Sequence, residues 1–128
     1  MISSNAFSFV NVLEKTADAT YLRHEVISNN IANNDTPNYK RKDIKFETYL
    51  KSELESGSDL ASAVSNINLD KLNASVYTDR SELSYRTDGN NVDIATENAN
   101  LAENQIRYYT LLDSMTQEFS RLKSVLQK

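Results

Sequence analysis

The side chains that most often perform catalysis or bind metals are scarce in this chain. His24 is the single histidine and cysteine is absent, so histidine clusters, thiolate sites and disulfides are excluded. The two glycines, Gly57 and Gly89, are too few and too far apart to form a glycine-rich phosphate loop. We therefore predict that the protein is not an enzyme and uses no cofactor, metal or small-molecule substrate. We assign His24 to helix packing.

The segment from Asp88 to Asp93 (DGNNVD) comes nearest to a metal-binding loop. A calcium loop of this type needs an oxygen ligand at its fifth position and glycine at its sixth, where this segment has Val92 and Asp93. A turn that starts a helix is the better interpretation. Asp93 would be the N-cap, because its carboxylate can accept a hydrogen bond from a free amide of the first helical turn.

Amide hydrogen bonding is the chemistry that this sequence does offer. Asparagines at positions 29, 30, 33 and 34 interrupt an apolar helical pattern around Ile31 and Ala32. Asparagine weakens an isolated helix because its amide competes for backbone hydrogen bonds. One interpretation is a frayed helix end before a polar loop. The other is an assembly contact, in which Asn29, Asn30 and Asn33 bond to backbone groups of a neighbouring subunit.

A turn follows these asparagines, because Pro37 disfavours helical geometry at Thr36 and so ends the helix between residues 33 and 35. The whole run from Asn29 to Tyr39 (NNIANNDTPNY) resembles the N-terminal signature of the bacterial flagellar axial proteins, the family of rod, hook and hook-filament junction subunits. Asn38 stands where that signature has glycine. Glycine in such a turn indicates a positive φ, which asparagine tolerates best among the other residues.

Two further segments are similar to the proximal rod subunits of this family. A basic, extended stretch after Tyr39 ends at Phe46, and near the C-terminus Asp88, Gly89 and Asn90 lead to Glu97 and Tyr108. The resemblance implies a structural subunit of the proximal rod that self-assembles through its terminal helices and transmits torque between ring and distal rod. The assembly residues are those of the signatures and helical seams: Leu13, Ile27, Asn29, Asn30, Ile31, Ala32, Asn33, Thr36, Pro37, Tyr39, Phe46, Asp88, Gly89, Asn90, Val92, Asp93, Leu101, Tyr108, Met115, Phe119 and Leu122.

The resemblance also implies the partners and the cellular location. The partners are other flagellar rod subunits, the ring-rod adaptor, the membrane ring, the flagellar export apparatus and further copies of this chain. The location is the flagellar basal body, reached by export without a cleaved signal peptide. In agreement, the N-terminus lacks a basic segment followed by a long apolar one, and no stretch approaches the roughly 20 apolar residues of a membrane-spanning helix. A net charge of −4 argues against nucleic-acid binding.

Hydrophobic periodicity predicts a mainly α fold, with long N- and C-terminal helices that pack as a coiled-coil-like pair. A second apolar stripe on the first helix requires a second neighbour. The first seam comprises Ala6, Val10, Leu13, Ala17, Thr20, His24, Ile27 and Ile31, and the second stripe Val12, Ala19, Leu22 and Val26. The seam of the last helix comprises Ile94, Leu101, Tyr108, Leu112, Met115, Phe119, Leu122 and Leu126.

The predicted organisation has three parts: an N-terminal helix in residues 1–35, a loop and short β-hairpin insert in 36–91, and a C-terminal helix in 92–128. Within the middle, residues 44–54 favour a strand that passes into a short helix, and residues 74–86 favour one or two strands. Serine, asparagine and aspartate are frequent from residue 51 to 88, which indicates an exposed or weakly ordered insert. An alternative function is a cytoplasmic coiled-coil adaptor or chaperone that binds one partner helix.

Overall fold

Two long helices form the frame of the protein. A computed structural model describes residues 4–83 and 85–127, with side chains from residue 7 onward. Helix α1 spans Ser4–Ala32 and helix α4 spans Ile94–Leu126, and the two pack against each other. Between them lie β1 (Lys42–Lys45), α2 (Glu47–Glu55), α3 (Leu60–Asn66) and β2 (Ser75–Thr78). The predicted mainly α fold with paired terminal helices is confirmed, and no described helix is long and apolar enough to cross a membrane.

The ends of the long helices follow the sequence signals. Helix α1 ends at Ala32, five residues before Pro37. Asp93 is the N-cap of α4, and its Oδ1 accepts hydrogen bonds from the backbone N–H groups of Ala95 and Thr96. Asn38 has a φ of 61°. The predictions of the N-cap and of the positive φ are confirmed.

The middle of the chain covers the second apolar stripe of α1. Ala19 and Val26 of that stripe are buried in one cluster with four residues of the middle segment: Ile44, Phe46, Ile67 and Leu72. The stripe therefore finds its second neighbour within the chain. The prediction of an exposed insert is wrong for Ile67 and Leu72, which are buried in the cluster with α1. Leu60 and Tyr85 of the same segment are exposed by 61% and 66%.

The two strands form a small antiparallel sheet, in which Lys42 is opposite Thr78 and Ile44 is opposite Val76. The strand and short helix predicted for residues 44–54 correspond to β1 and α2. The predicted hairpin is wrong, because α2 and α3 separate the paired strands. Helix α3 was not predicted. It lies so close to the preceding loop that a Cβ at Gly57 would come within 2.5 Å of Ala63 Cβ.

The seam between α1 and α4 is covered unevenly. On α1 the buried seam residues are Val10, Ala17, Thr20 and Ile27, whereas Ala6 lies outside the described side chains. On α4 the half-buried seam residues are Leu101, Tyr108, Met115 and Leu122. Four predicted seam residues of α4 are exposed, namely Ile94 by 40%, Leu112 by 38%, Phe119 by 53% and Leu126 by 67%. Their assignment to this helix pair is wrong, because α1 packs on the flank of α4 that carries Asn104 and Leu111.

Candidate functional site

Asn30, near the end of α1, is completely buried and uses its amide within the chain. Its Oδ1 accepts from the backbone N–H of Lys42 at 2.9 Å and from the Tyr39 hydroxyl at 3.2 Å. Its Nδ2 donates to the Lys42 carbonyl at 2.8 Å and to Glu97 Oε2 at 3.2 Å. The amide thus replaces a neighbouring strand along the free edge of β1. With these bonds made, Asn30 has no amide group left for a neighbouring subunit.

Glu97 and Arg41 form a buried ion pair beside Asn30. Glu97 is 1% exposed in the first turns of α4, and its Oε1 accepts from Arg41 Nε at 2.5 Å. Arg41 also pairs with Asp43 and Asp79 at 3.2 Å each. Burial works against the charge of Arg41, but the hydrogen bond and charge of Glu97 outweigh it and raise the pKa of Arg41. This ion pair ties the start of α4 to both strands.

The amide of Asn90 binds the turn that follows α1. Its Nδ2 donates to the carbonyls of Asn33, Asn34 and Thr36 at 2.9, 3.0 and 2.9 Å. Its Oδ1 accepts from the Val92 N–H at 2.7 Å. A side chain just before α4 therefore holds the turn that follows the end of α1 at Ala32. Asn90 is 1% exposed.

A tight turn brings these groups together. The Asn38 N–H donates to the Asp88 carbonyl at 2.8 Å. Gly89, with a φ of 77°, lies so near that a Cβ there would be 2.5 Å from Asn38 Oδ1. Asn91 accepts from the Arg41 N–H at 2.6 Å. We call residues 29–41 and 88–97 together the joint, since both signature segments meet there.

A second set of ion pairs joins α1, α2 and α4 beside the joint. Arg23 of α1 forms a two-pronged pair with Glu47, with Nη2 at 2.6 Å from Oε2. The hydrogen bond from Arg23 lowers the pKa of Glu47. Arg107 of α4 reaches the same carboxylate at 3.3 Å. In the sheet, hydrogen bonds from Ser81 lower the pKa of Asp79.

Comparison with known proteins identifies the family of this chain. The family described as "Flagella basal body rod protein" matches residues 11–40, which include most of α1 and the first half of the joint. The flagellar basal body rod protein FlgB of Bacillus subtilis is 36% identical over 115 residues, covering 89% of each chain. This chain belongs to the FlgB family. FlgB of Escherichia coli is 34% identical, covering 82% of this chain and 83% of its own. FlgB of Borrelia hermsii is 32% identical, covering 92% and 95%.

The predicted assembly residues fall into three classes of burial. The buried ones are Ile27, Asn30, Phe46, Asn90 and Val92. The half-buried ones are Leu13, Ile31, Asn33, Tyr39, Asp88, Gly89, Asp93, Leu101, Tyr108, Met115 and Leu122, and the exposed ones are Asn29, Ala32, Thr36, Pro37 and Phe119. The joint brings together Asn30, Asn33, Tyr39, Asp88, Gly89 and Asn90, whereas Leu13, Met115, Phe119 and Leu122 lie far along the helices from it.

Two buried residues of α4 were not among the predicted assembly residues, although both lie in the C-terminal signature segment. Glu97 and Asn104 are the buried residues of α4, and Asn104 Nδ2 donates to the Thr20 carbonyl at 2.9 Å. Glu97 and Asn104 are seven residues apart and Leu111 follows at the same spacing, so these three residues form a heptad row. A search for apolar positions alone misses it, because two members of the row are polar. Among the described residues, no group of three or more acidic or histidine side chains is arranged to hold a metal ion.

Proposed function

We propose that this chain is a structural, non-catalytic subunit of the proximal rod of the bacterial flagellar basal body. Membership of the FlgB family of rod proteins supports a structural role. In this proposal the terminal helices bind neighbouring subunits, and the resulting shaft transmits torque between the membrane ring and the distal rod. The partners would be other rod subunits, the ring-rod adaptor, the membrane ring and further copies of this chain.

The observation that carries the proposal is the uncovered apolar flank of α4. Leu112, Phe119 and Leu126 recur every seven residues on one side of the helix and are exposed by 38%, 53% and 67%. A row of large apolar side chains at heptad spacing favours a further helix. Repetition of one such contact between identical subunits builds an open helical assembly rather than a closed oligomer.

The joint supplies a property that a torque-bearing subunit needs. The buried Asn30, Asn90 and Glu97 side chains fix the start of α4 to the end of α1 and to the sheet. Buried polar groups with all their partners hold one geometry, because moving any of them leaves the others without hydrogen bonds. A load applied to one long helix would therefore pass to the other without repacking of the chain.

Export to the rod without a cleaved signal peptide, through the flagellar export apparatus, is part of the same proposal. The competing function is a cytoplasmic coiled-coil adaptor or chaperone. The two are separated by electron microscopy of basal bodies from cells that lack this chain. Rings without rods support the rod subunit, and labelled chain within the rod of complemented cells excludes an assembly factor that leaves. Intact rods would refute the proposal.

A pair of variants tests the exposed flank directly. Phe119→Asp puts a charge in the proposed contact, and Ser120→Asp puts the same charge at the next, exposed position. We expect both purified variants to keep the far-ultraviolet circular dichroism of the parent. Only Phe119→Asp should lower incorporation into basal bodies, by at least ten-fold, since an apolar contact does not accept an unpaired charge. Equal incorporation of the two variants would show that this flank is not an intersubunit surface.

A further inference from the structure

A cavity of about 250 Å³ opens between the middle parts of α1 and α4, on the side of the helix pair away from Arg107. Tyr21 of α1 and Tyr108 and Tyr109 of α4 line it, together with His24. The rings of Tyr21 and Tyr108 are 6.4 Å apart and those of Tyr108 and Tyr109 are 6.2 Å apart. We call it the tyrosine cavity. Its volume admits the head group of a side chain.

Asn104 lies between the tyrosine cavity and the cavity on the Arg107 side, and it carries a buried acceptor without a partner. Asn104 is 3% exposed, and its Nδ2 donates to the Thr20 carbonyl. That bond fixes which amide atom is oxygen. The remaining atom, Oδ1, has no hydrogen-bond partner. A buried acceptor of this kind is normally met by a hydrogen-bond donor, which water or a bound group can supply.

The charges around the cavity select the kind of donor. Asp18 and Glu25 are exposed one helical turn before and after Tyr21, and Asp113 is exposed one turn after Tyr109. None of the described residues that line the cavity is lysine or arginine. The negative faces of aromatic rings attract cations, and arginine combines a planar cation with several N–H donors.

We propose that the tyrosine cavity binds an arginine side chain presented by a neighbouring protein subunit. The guanidinium would lie against the tyrosine rings, donate one N–H to Asn104 Oδ1 and face the acidic rim. A neutral donor would satisfy Asn104 but would gain nothing from the rings or the rim. An apolar side chain would leave Asn104 unsatisfied. That the arginine comes from a rod subunit rests on the proposed function.

The test uses the purified full-length chain and small probes, and so does not depend on rod assembly. N-acetyl-arginine-N-methylamide is titrated while nuclear magnetic resonance records the Asn104 side-chain amide and the tyrosine rings. The matched neutral probe is the citrulline analogue, which keeps the shape and loses the charge. We expect the arginine probe to shift these signals and to bind at least three-fold more tightly. Equal binding of the citrulline probe, or of a leucine probe, would overturn the proposal.

Variants locate the binding and test its source. Tyr109 is 68% exposed, so Tyr109→Leu should leave the fold intact. It should weaken the binding of the arginine probe about two- to five-fold, as expected for the loss of one exposed cation–π contact. Tyr109→Phe keeps the ring and should bind like the parent. Tyr85→Leu, at 66% exposure outside the cavity, is the control. In complemented cells only Tyr109→Leu should reduce rod assembly. Normal assembly with this variant would overturn a rod subunit as the source of the arginine.

Discussion

Removal of the charge of Glu97 is the perturbation that tests the joint most directly. Glu97→Gln keeps the length of the side chain but leaves Arg41 without its nearest anion, 2.5 Å away. In the parent, Arg41 and Asn30 each donate a hydrogen bond to one oxygen of the Glu97 carboxylate. The glutamine amide replaces one of these acceptors with a donor, which then faces another donor. Glu97 is 1% exposed, so water cannot replace the lost interaction.

The size of the effect follows from the burial of the pair. Breaking a buried ion pair by removing one partner costs about 3–5 kcal/mol. Arg41 keeps Asp43 and Asp79 and has a side chain 15% exposed, so we expect a loss near the lower limit, about 3 kcal/mol. This is a large part of the 5–15 kcal/mol by which domains are typically stable. The control is Glu103→Gln. Glu103 pairs with Arg107, and their side chains are 61% and 51% exposed. This substitution should lower the free energy of unfolding by at most about 0.5 kcal/mol.

The assay is urea-induced unfolding followed by circular dichroism at 222 nm, with the same slope required for all variants. The double variant Arg41→Met, Glu97→Leu should recover part of the loss, because no buried charge is then left unpaired. A loss below 1 kcal/mol in Glu97→Gln would refute the reasoning. So would a double variant less stable than the single one.

Three further predictions concern the same region and are checked by the same unfolding measurement. Asn90→Ala should destabilise the chain by about 2–4 kcal/mol, because it removes the four hydrogen bonds of a buried amide and leaves the Val92 N–H without its acceptor. Asn29→Ala, at an exposed position, should stay within about 0.5 kcal/mol. Gly89→Ala should lower the free energy of unfolding by about 1–2 kcal/mol, because a side chain is strained at a φ of 77° and its Cβ would meet Asn38. An unchanged midpoint of urea unfolding would contradict this prediction. Because the pKa values of Glu47 and Asp79 are lowered in the folded chain, their contribution to stability is complete above about pH 5 and should be lost as the pH falls below the ordinary carboxyl pKa of about 4. A stability that rises on acidification from pH 5 to pH 3 would refute that assignment.

The sequence by itself determined the long helices and their ends. The apolar spacing identified α1 and α4 because a helix must bury one side, and this periodicity is visible in the order of residues. Asp93 and Pro37 marked helix boundaries through local hydrogen bonding and backbone geometry, which depend on few neighbours. The positive φ of Asn38 was predictable for the same reason, once the resemblance had indicated a glycine position.

Only the tertiary structure decided what the polar residues contact. The side chains of Asn30, Asn90 and Glu97 could serve a neighbouring subunit, water or their own chain, and their types do not distinguish these partners. The fold brings Asn30 to the edge of β1 and Asn90 to the end of α1, across sequence separations of 12 and 57 residues. Contacts between residues so far apart in sequence depend on the path of the chain between them. Local sequence patterns do not determine that path.

The same limit applies to the middle segment and to the flank of α4. Few apolar residues stand between 51 and 88, so composition indicated an exposed insert, yet Ile67 and Leu72 are buried against α1. The heptad row of Leu112, Phe119 and Leu126 is as regular as the one that faces α1. The sequence placed this row in the same seam as Leu101, Tyr108, Met115 and Leu122. Only packing decided which of these residues are covered within the chain, because a single neighbouring helix can cover only one side.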